Sequence, residues 1–211
     1  MSLPRDSGGD IGHYSGVSRA PAALLAALVA GGLTAALAPA ATFTPKTRTV
    51  KDAAGDVDGS GIDLLRVSLG RASNGQLRGS LTAAGAFTSS SLRARNGIPG
   101  TLCLRLWTKT KPGAAPPDYL VCATATKDGK GLDASVLRER PGDTPVRVGP
   151  ATVTRSSSRN VTIRFSQSTV GKPGAIDFSG ESTAAGCARS ACADVAPEDG
   201  KVATFRLKAG A

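Results

Sequence analysis

The feature that most constrains the fold is the alternation of apolar and polar residues in short runs after residue 46. Val161, Ile163 and Phe165, for example, alternate with polar residues, and the same period of two recurs along the chain. This period is typical of a β-strand with one buried face. The pattern predicts strands at residues 62–70, 76–84, 101–108, 118–126, 132–138, 151–155, 160–166, 176–179 and 203–208.

Glycine and proline separate these runs, and no segment after residue 41 has a sustained helical period. Asn74-Gly75 between the first two runs predicts a hairpin, because both residues accept the positive φ of a tight turn. The apolar positions slip by one within residues 62–69, which predicts a β-bulge. We therefore expect one all-β domain at residues 47–211, a single antiparallel β-sandwich of about nine strands, with one short turn near residues 166–171.

The N-terminus has the composition of an export signal. An Ala/Leu-rich run at residues 22–37 follows Arg19, and Ala-Pro-Ala-Ala at residues 38–41 offers small residues for cleavage. We interpret residues 1–41 as a signal-peptide helix and 42–46 as a short linker, which predicts a secreted, extracellular protein. A retained membrane anchor is the alternative, although the run is shorter than the roughly 20 residues that a spanning helix needs.

The four cysteines all follow the leader. In an exported protein an even number of cysteines indicates disulfides rather than a zinc site. Three pairings are open, and we favour Cys103–Cys122, joining neighbouring strands, with Cys187–Cys192 closing a tight loop. The second spacing differs from the C-x-x-C of redox proteins.

Residue chemistry argues against an enzyme. The one histidine, His13, lies in the leader, so the mature chain has no imidazole for a triad or a zinc site. No nucleophile motif or phosphate-binding loop occurs, and only three glutamates follow residue 41. We expect a non-catalytic protein.

The formal net charge is +10, and removing the leader leaves it unchanged because that segment holds two basic and two acidic residues. Such a charge attracts polyanions, including wall polymers and acidic glycans; the alternative is that it serves solubility alone. No block of five Lys or Arg occurs, so we expect no specific nucleic-acid partner. After cleavage we expect a monomer without membrane contact.

Three residues are candidates for ligand binding. Trp107 and Tyr119 are the only Trp and Tyr after the leader, and Arg105 shares a strand face with Trp107. An exposed aromatic ring beside a cation can stack on a sugar. The alternative is that Trp107 packs over the disulfide in a second part of the core.

An aspartate-rich segment is a candidate calcium site. Asp52, Asp56, Asp58 and Asp63 alternate with glycines, and carboxylate oxygens are the ligands that calcium prefers. An EF-hand is excluded, because Val67 occupies the position of its bidentate glutamate. The alternative is a turn in which the aspartates accept hydrogen bonds from nearby backbone N–H groups.

The same segment carries a family resemblance, over residues 52–84. Its motif is Asp52-x-x-Gly55-Asp56-x-x-Gly59, followed by Ile62-Asp63-Leu64 and the Asn-Gly hairpin. This opening resembles β-sandwich modules similar to family 9 carbohydrate-binding modules and DOMON-type domains, and the remainder of the chain resembles exported proteins of high-GC actinobacteria. The resemblance implies a sandwich that binds a glycan or a cofactor; the mature chain has no Met/His pair for haem.

These observations predict a secreted binding module that acts at or near the cell envelope on a glycan or an anionic wall polymer. One alternative is a protein-binding factor such as a protease inhibitor, which would use a disulfide-framed loop at residues 109–117 or 187–192. The other is a structural exported protein with no small ligand.

Overall fold

The computed structural model describes residues 47–57, 62–187, 192–198 and 200–207. The predicted leader and linker lie outside them. The described chain forms two 3-10 helices, Ser89–Leu92 and Gln167–Val170, and eleven strands. The strands are β1 Thr47–Lys51, β2 Leu64–Arg71, β3 Gln76–Ala83, β4 Thr101–Trp107, β5 Tyr119–Ala125, β6 Leu132–Arg140, β7 Asp143–Ser157, β8 Asn160–Ser166, β9 Ala175–Thr183, β10 Ala193–Ala196 and β11 Ala203–Arg206.

All the strands join one antiparallel sheet in the order β1-β2-β3-β8-β7-β6-β5-β4-β9-β10, with β11 pairing β9 beside β10. The predicted all-β antiparallel fold is confirmed, with eleven strands where about nine were expected. The two missed strands, β1 and β10, have five and four residues. Such short edge strands carry too few alternations for a pattern to be read. The predicted short turn is the helix Gln167–Val170.

The long strand β7 divides the sheet into two layers. Its residues 151–157 pair with β8, whereas residues 143–151 pair with β6. We call β1, β2, β3, β8 and the C-terminal half of β7 the first layer. The N-terminal half of β7 with β6, β5, β4, β9, β10 and β11 is the second layer.

The two layers face each other across one hydrophobic core. A Cβ atom added to Gly79 of β3 would lie 2.0 Å from Cδ1 of Leu104 in β4, and one added to Gly180 of β9 would lie 2.4 Å from Cγ2 of Val67 in β2. The inward residues include Leu81, whose exposed fraction is 1%. Burial of these apolar side chains is the main contribution to stability, at about 25 cal/mol per Å².

The β2–β3 hairpin forms as predicted. Asn74 and Gly75 have φ values of 60° and 69°, which are those of a tight two-residue turn. The register shifts between Leu64 and Arg66, so Leu65 is the predicted bulge. The extra residue at the bulge changes the face of the sheet to which the following side chains point. Leu64 and Val67, on either side of it, therefore both point into the core.

Both favoured disulfides are present, Cys103–Cys122 and Cys187–Cys192. Cys103 lies directly opposite Cys122 in the β4–β5 pair, and Arg105 lies opposite Leu120. Two disulfides and no free cysteine among the described residues fit an oxidising compartment.

Candidate functional site

The aspartate-rich segment and a distant strand form one acidic cluster. Carboxylate oxygens of Asp56, Asp63 and Asp194 all lie within 4.8 Å of one another. Asp56 and Asp63 border the β1–β2 connection, whereas Asp194 comes from β10. The backbone N–H of Leu64 donates to Asp194 Oδ2 at 2.5 Å, and this bond joins residues 130 positions apart.

The cluster and the neighbouring Asp52 hold acceptors that the described chain does not satisfy. The N–H of Gly55 donates to Asp63 Oδ2 at 2.7 Å. Within the described residues, however, Asp63 Oδ1 and Asp52 Oδ2 are buried oxygens without a hydrogen-bond donor. Buried acceptors left in this way cost folding free energy.

Burial, together with like charges, raises the pKa of carboxyl groups at this position. Burial raises the pKa of Asp194 to about 6, and the negative charges of its three aspartate neighbours add to the rise. Burial and the nearby carboxylates also raise the pKa of Asp52. A hard divalent cation would offset this repulsion, so calcium is the ion whose chemistry these oxygens fit.

Of the four predicted calcium ligands, the structure places Asp56 and Asp63 in the cluster and Asp52 beside it. Asp58 lies outside the described residues. Sequence reasoning missed Asp194, because only the pairing of β10 with β9 brings that residue to the segment before β2. No local pattern around Asp194 signals this position. The calcium site stays a prediction.

The predicted sugar-binding residues do not share one surface. Arg105 and Trp107 lie on the outer face of β4, whereas Tyr119 of β5 belongs to the inner core and is 4% exposed. The guanidinium of Arg105 lies 5.2 Å from the centroid of the Trp107 ring. Its Nε lies 3.6 Å from Glu181 Oε2 on the neighbouring strand.

Trp107 is a packed residue. Its exposed fraction is 5%, and its indole N–H donates to the carbonyl of Ala115 at 3.0 Å. The ring is therefore covered by Arg105 and by the loop after β4. An open stacking platform would need this loop to move away.

The outer face of the first layer is a second candidate site, which sequence reasoning did not assemble. Three cross-strand rows of outward residues lie on it, as the registers show. The rows are Thr47-Gly70-Arg78-Arg164-Thr152, Thr49-Ser68-Ser80-Thr162-Thr154 and Lys51-Arg66-Thr82-Asn160-Ser157. We call this surface the cationic face.

The cationic face combines positive charge with hydroxyl groups. Lys51, Arg66, Arg78 and Arg164 are exposed, and no outward position of these five strands in the described chain is an aspartate or a glutamate. The side-chain amide of Asn160 donates to Ser80 Oγ and Thr82 Oγ1, both at 2.8 Å. Each of these hydroxyls keeps its own hydrogen for another partner.

The sequence did not predict the cationic face, because its cations lie on four separate strands. Arg78 and Arg164 are far apart in the chain, yet the β3–β8 register places them directly opposite each other. The alternating pattern shows that each arginine points outward, but it does not show which strands become neighbours. Pairing of non-consecutive strands decides that.

Comparison with protein-family models, curated proteins and solved structures finds no match for this chain. The resemblance of residues 52–84 to family 9 carbohydrate-binding and DOMON-type modules therefore stays a prediction. Among the described residues, no helix has the length and apolar character to cross a membrane.

Proposed function

We propose that this protein is a secreted, non-catalytic binding module that acts at the cell envelope on an anionic polymer. The observation that carries the proposal is the cationic face, which presents four exposed cations and rows of hydroxyl groups without a carboxylate at its outward positions. Charge complementarity of this kind increases the association rate and selects the partner by sign. The export-type leader and the two disulfides support secretion.

A sheet face suits a polymer better than a small molecule. The four cations of the cationic face lie on four neighbouring strands, which are about 4.8 Å apart, so the cations are spread over roughly 14 Å across the strands. A small ligand would contact only part of this surface, whereas an extended chain reaches several cations at once. Several weak contacts then add to one measurable affinity.

The test is retention of the purified protein on isolated bacterial cell walls, compared with an uncharged insoluble polysaccharide, over a salt series. We expect retention on the anionic walls that weakens as salt rises, because exposed charges are screened over about 8 Å at physiological ionic strength. Equal retention on the uncharged polysaccharide, or none on the walls at low salt, would contradict the proposal.

A second candidate function, binding of a partner protein such as a trypsin-like protease, is favoured by the loop after β4. Asp118 Oδ2 accepts backbone N–H groups of Thr108 and Lys109 at 2.6 and 2.8 Å. Partial burial would raise the pKa of Asp118, but these backbone donors lower it overall. These hydrogen bonds hold the start of the loop in place, and Lys109 and Lys111 of the loop are exposed.

An inhibition assay separates this candidate from polymer binding. If the loop is inhibitory, the protein should inhibit a trypsin-like protease, and Lys109→Ala with Lys111→Ala should remove the effect while wall retention persists. Absence of inhibition at high protein concentration would eliminate the candidate.

A further inference from the structure

We propose that the cationic face holds two anion subsites, Lys51 with Arg66 and Arg78 with Arg164, which bind two separate charges of one linear anionic glycan. This inference rests on the proposed function and specifies its ligand. The two pairs belong to different rows of the face, with the hydroxyl row between them. The ligand class is a hydroxyl-bearing polymer with phosphodiester or carboxylate groups.

The pairing of like charges points to an anion. Lys51 lies opposite Arg66 in the β1–β2 register, and Arg78 lies opposite Arg164 in the β3–β8 register. Like charges that face each other across strands destabilise a sheet. The ion pairs Arg105–Glu181 and Arg140–Asp143 lie elsewhere, and an anion bound between the two cations of a pair would remove the repulsion.

The geometry sets the spacing of the two subsites. Arg66 and Gly70 are four residues apart on β2, and Arg78 lies beside Gly70 on β3. Strand dimensions then place the Cα atoms of Arg66 and Arg78 roughly 14 Å apart. A single phosphate or carboxylate cannot span this distance, whereas a chain of repeating charged units can.

The residues between the subsites favour a glycan over a nucleic acid. The middle row carries Thr49, Ser68, Ser80, Thr162 and Thr154, whose hydroxyls can exchange hydrogen bonds with polymer hydroxyls. No outward position of the five strands in the described chain is aromatic. Binders of single-stranded nucleic acid usually stack bases on aromatic side chains.

The experiment measures binding of three variants of the full chain to defined probes. Arg78→Gln/Arg164→Gln and Lys51→Gln/Arg66→Gln each remove one pair. Lys127→Gln/Lys130→Gln is the matched control, because it removes the same charge from exposed positions in the β5–β6 turn of the second layer. Circular dichroism checks that each variant folds.

The probes are glycerol phosphate, a glycerol-phosphate decamer, an oligogalacturonate and a single-stranded DNA, the polymers being matched in charge number. We expect the decamer to bind far more tightly than the monomer, because only the decamer spans both pairs. Each pair variant should weaken decamer binding about tenfold or more and should roughly halve the slope of log affinity against log salt. The control variant should change the affinity less than about twofold. Comparison of the decamer with the oligogalacturonate shows whether phosphate or carboxylate is preferred.

Several outcomes would overturn the proposal. If the pair variants and the control lower affinity equally, binding reflects net charge alone, although the proposed polymer binding itself still stands. A decamer that binds no better than the monomer would exclude two linked subsites. DNA binding as tight as that of either glycan would exclude the glycan assignment. Loss of all binding to every probe and to walls would remove the proposed function as well.

Discussion

Gly180 occupies a position where the two layers approach too closely for any side chain. A Cβ atom there would lie 2.4 Å from Cγ2 of Val67 and 3.3 Å from Cδ1 of Leu64. Val67 is β-branched and fully buried, so it cannot rotate away at low cost. Gly180 therefore sets how closely the two layers approach each other.

We predict that Gly180→Ala lowers the free energy of unfolding by about 1–3 kcal/mol, the usual cost of overpacking a core. Urea denaturation measures the change. Gly174→Ala is the control, because a Cβ atom at Gly174 would meet nothing within 4 Å. Equal stability of the two variants would show that the layers separate more easily than their contacts indicate.

Asp194 predicts a pH dependence of stability. Its pKa is raised to about 6 by burial and by the neighbouring carboxylates, so the folded state favours the protonated form. Between the ordinary value of 3.8 and about 6, stability contributed by this group is lost as pH rises, by up to about 3 kcal/mol. In the presence of a chelator, the melting temperature should fall across that interval.

The variant Asp194→Asn keeps an acceptor for the Leu64 N–H but does not titrate, so it should flatten this part of the pH profile. If the acidic cluster binds calcium, excess calcium should raise the melting temperature at pH 7 in the wild-type protein and less in the variant. A melting temperature that is the same in calcium and in chelator would exclude a calcium role.

At the scale of elements, the two disulfides close loops of different length. Cys103 and Cys122 are 19 residues apart, and Cys187 and Cys192 are 5 apart. The chain-entropy model assigns the longer loop about 3 kcal/mol and the shorter about 2 kcal/mol. We predict that Cys103→Ala/Cys122→Ala destabilises the protein more than Cys187→Ala/Cys192→Ala in chemical denaturation. The reverse order would show that the contacts of the second loop outweigh chain entropy.

The loop after β4 is attached through Trp107. Trp107→Phe keeps most of the packed ring but removes the hydrogen bond to Ala115, so we predict a loss of about 1 kcal/mol in unfolding free energy. Trp107→Ala should cost about 3–5 kcal/mol. Because the cationic face lies on the other layer, wall retention of the folded Trp107→Phe variant should equal that of the wild type. Reduced wall retention of this variant would indicate that Trp107 contacts the ligand.

At the scale of the whole molecule, one core joins the two layers, and β7 belongs to both. We therefore predict a single cooperative unfolding transition. Fluorescence of Trp107, the only tryptophan, reports on the second layer, and hydrogen exchange of Ile163 and Leu81 amides reports on the first. Their midpoints in denaturant should coincide; two separated midpoints would mean that the layers unfold independently.

The position of the charge is also a property of the whole molecule. The sequence spreads its basic residues without a block, but the sheet brings two pairs of them to one face. Net charge alone predicts attraction to any polyanion. The arrangement of the cationic face predicts that polyanions whose charges match the spacing of the two cation pairs bind more tightly.

The sequence by itself determined the strands with strong alternation, the Asn74-Gly75 hairpin and the bulge within β2, and it favoured the pairing of Cys103 with Cys122. These features depend on residues that are close together in the chain. Over such short distances, the alternation of apolar and polar residues and the turn-forming residues determine the local structure. It also indicated the aspartate segment and the outward direction of Arg78 and Arg164.

Only the tertiary structure decided which strands became neighbours. It brought Asp194 to Leu64 across 130 positions, placed Arg78 against Arg164, and separated Tyr119 from Trp107 onto opposite faces. Local patterns fix which face of a strand is buried, but the order of strands depends on long-range packing around one core, which no short window of sequence contains.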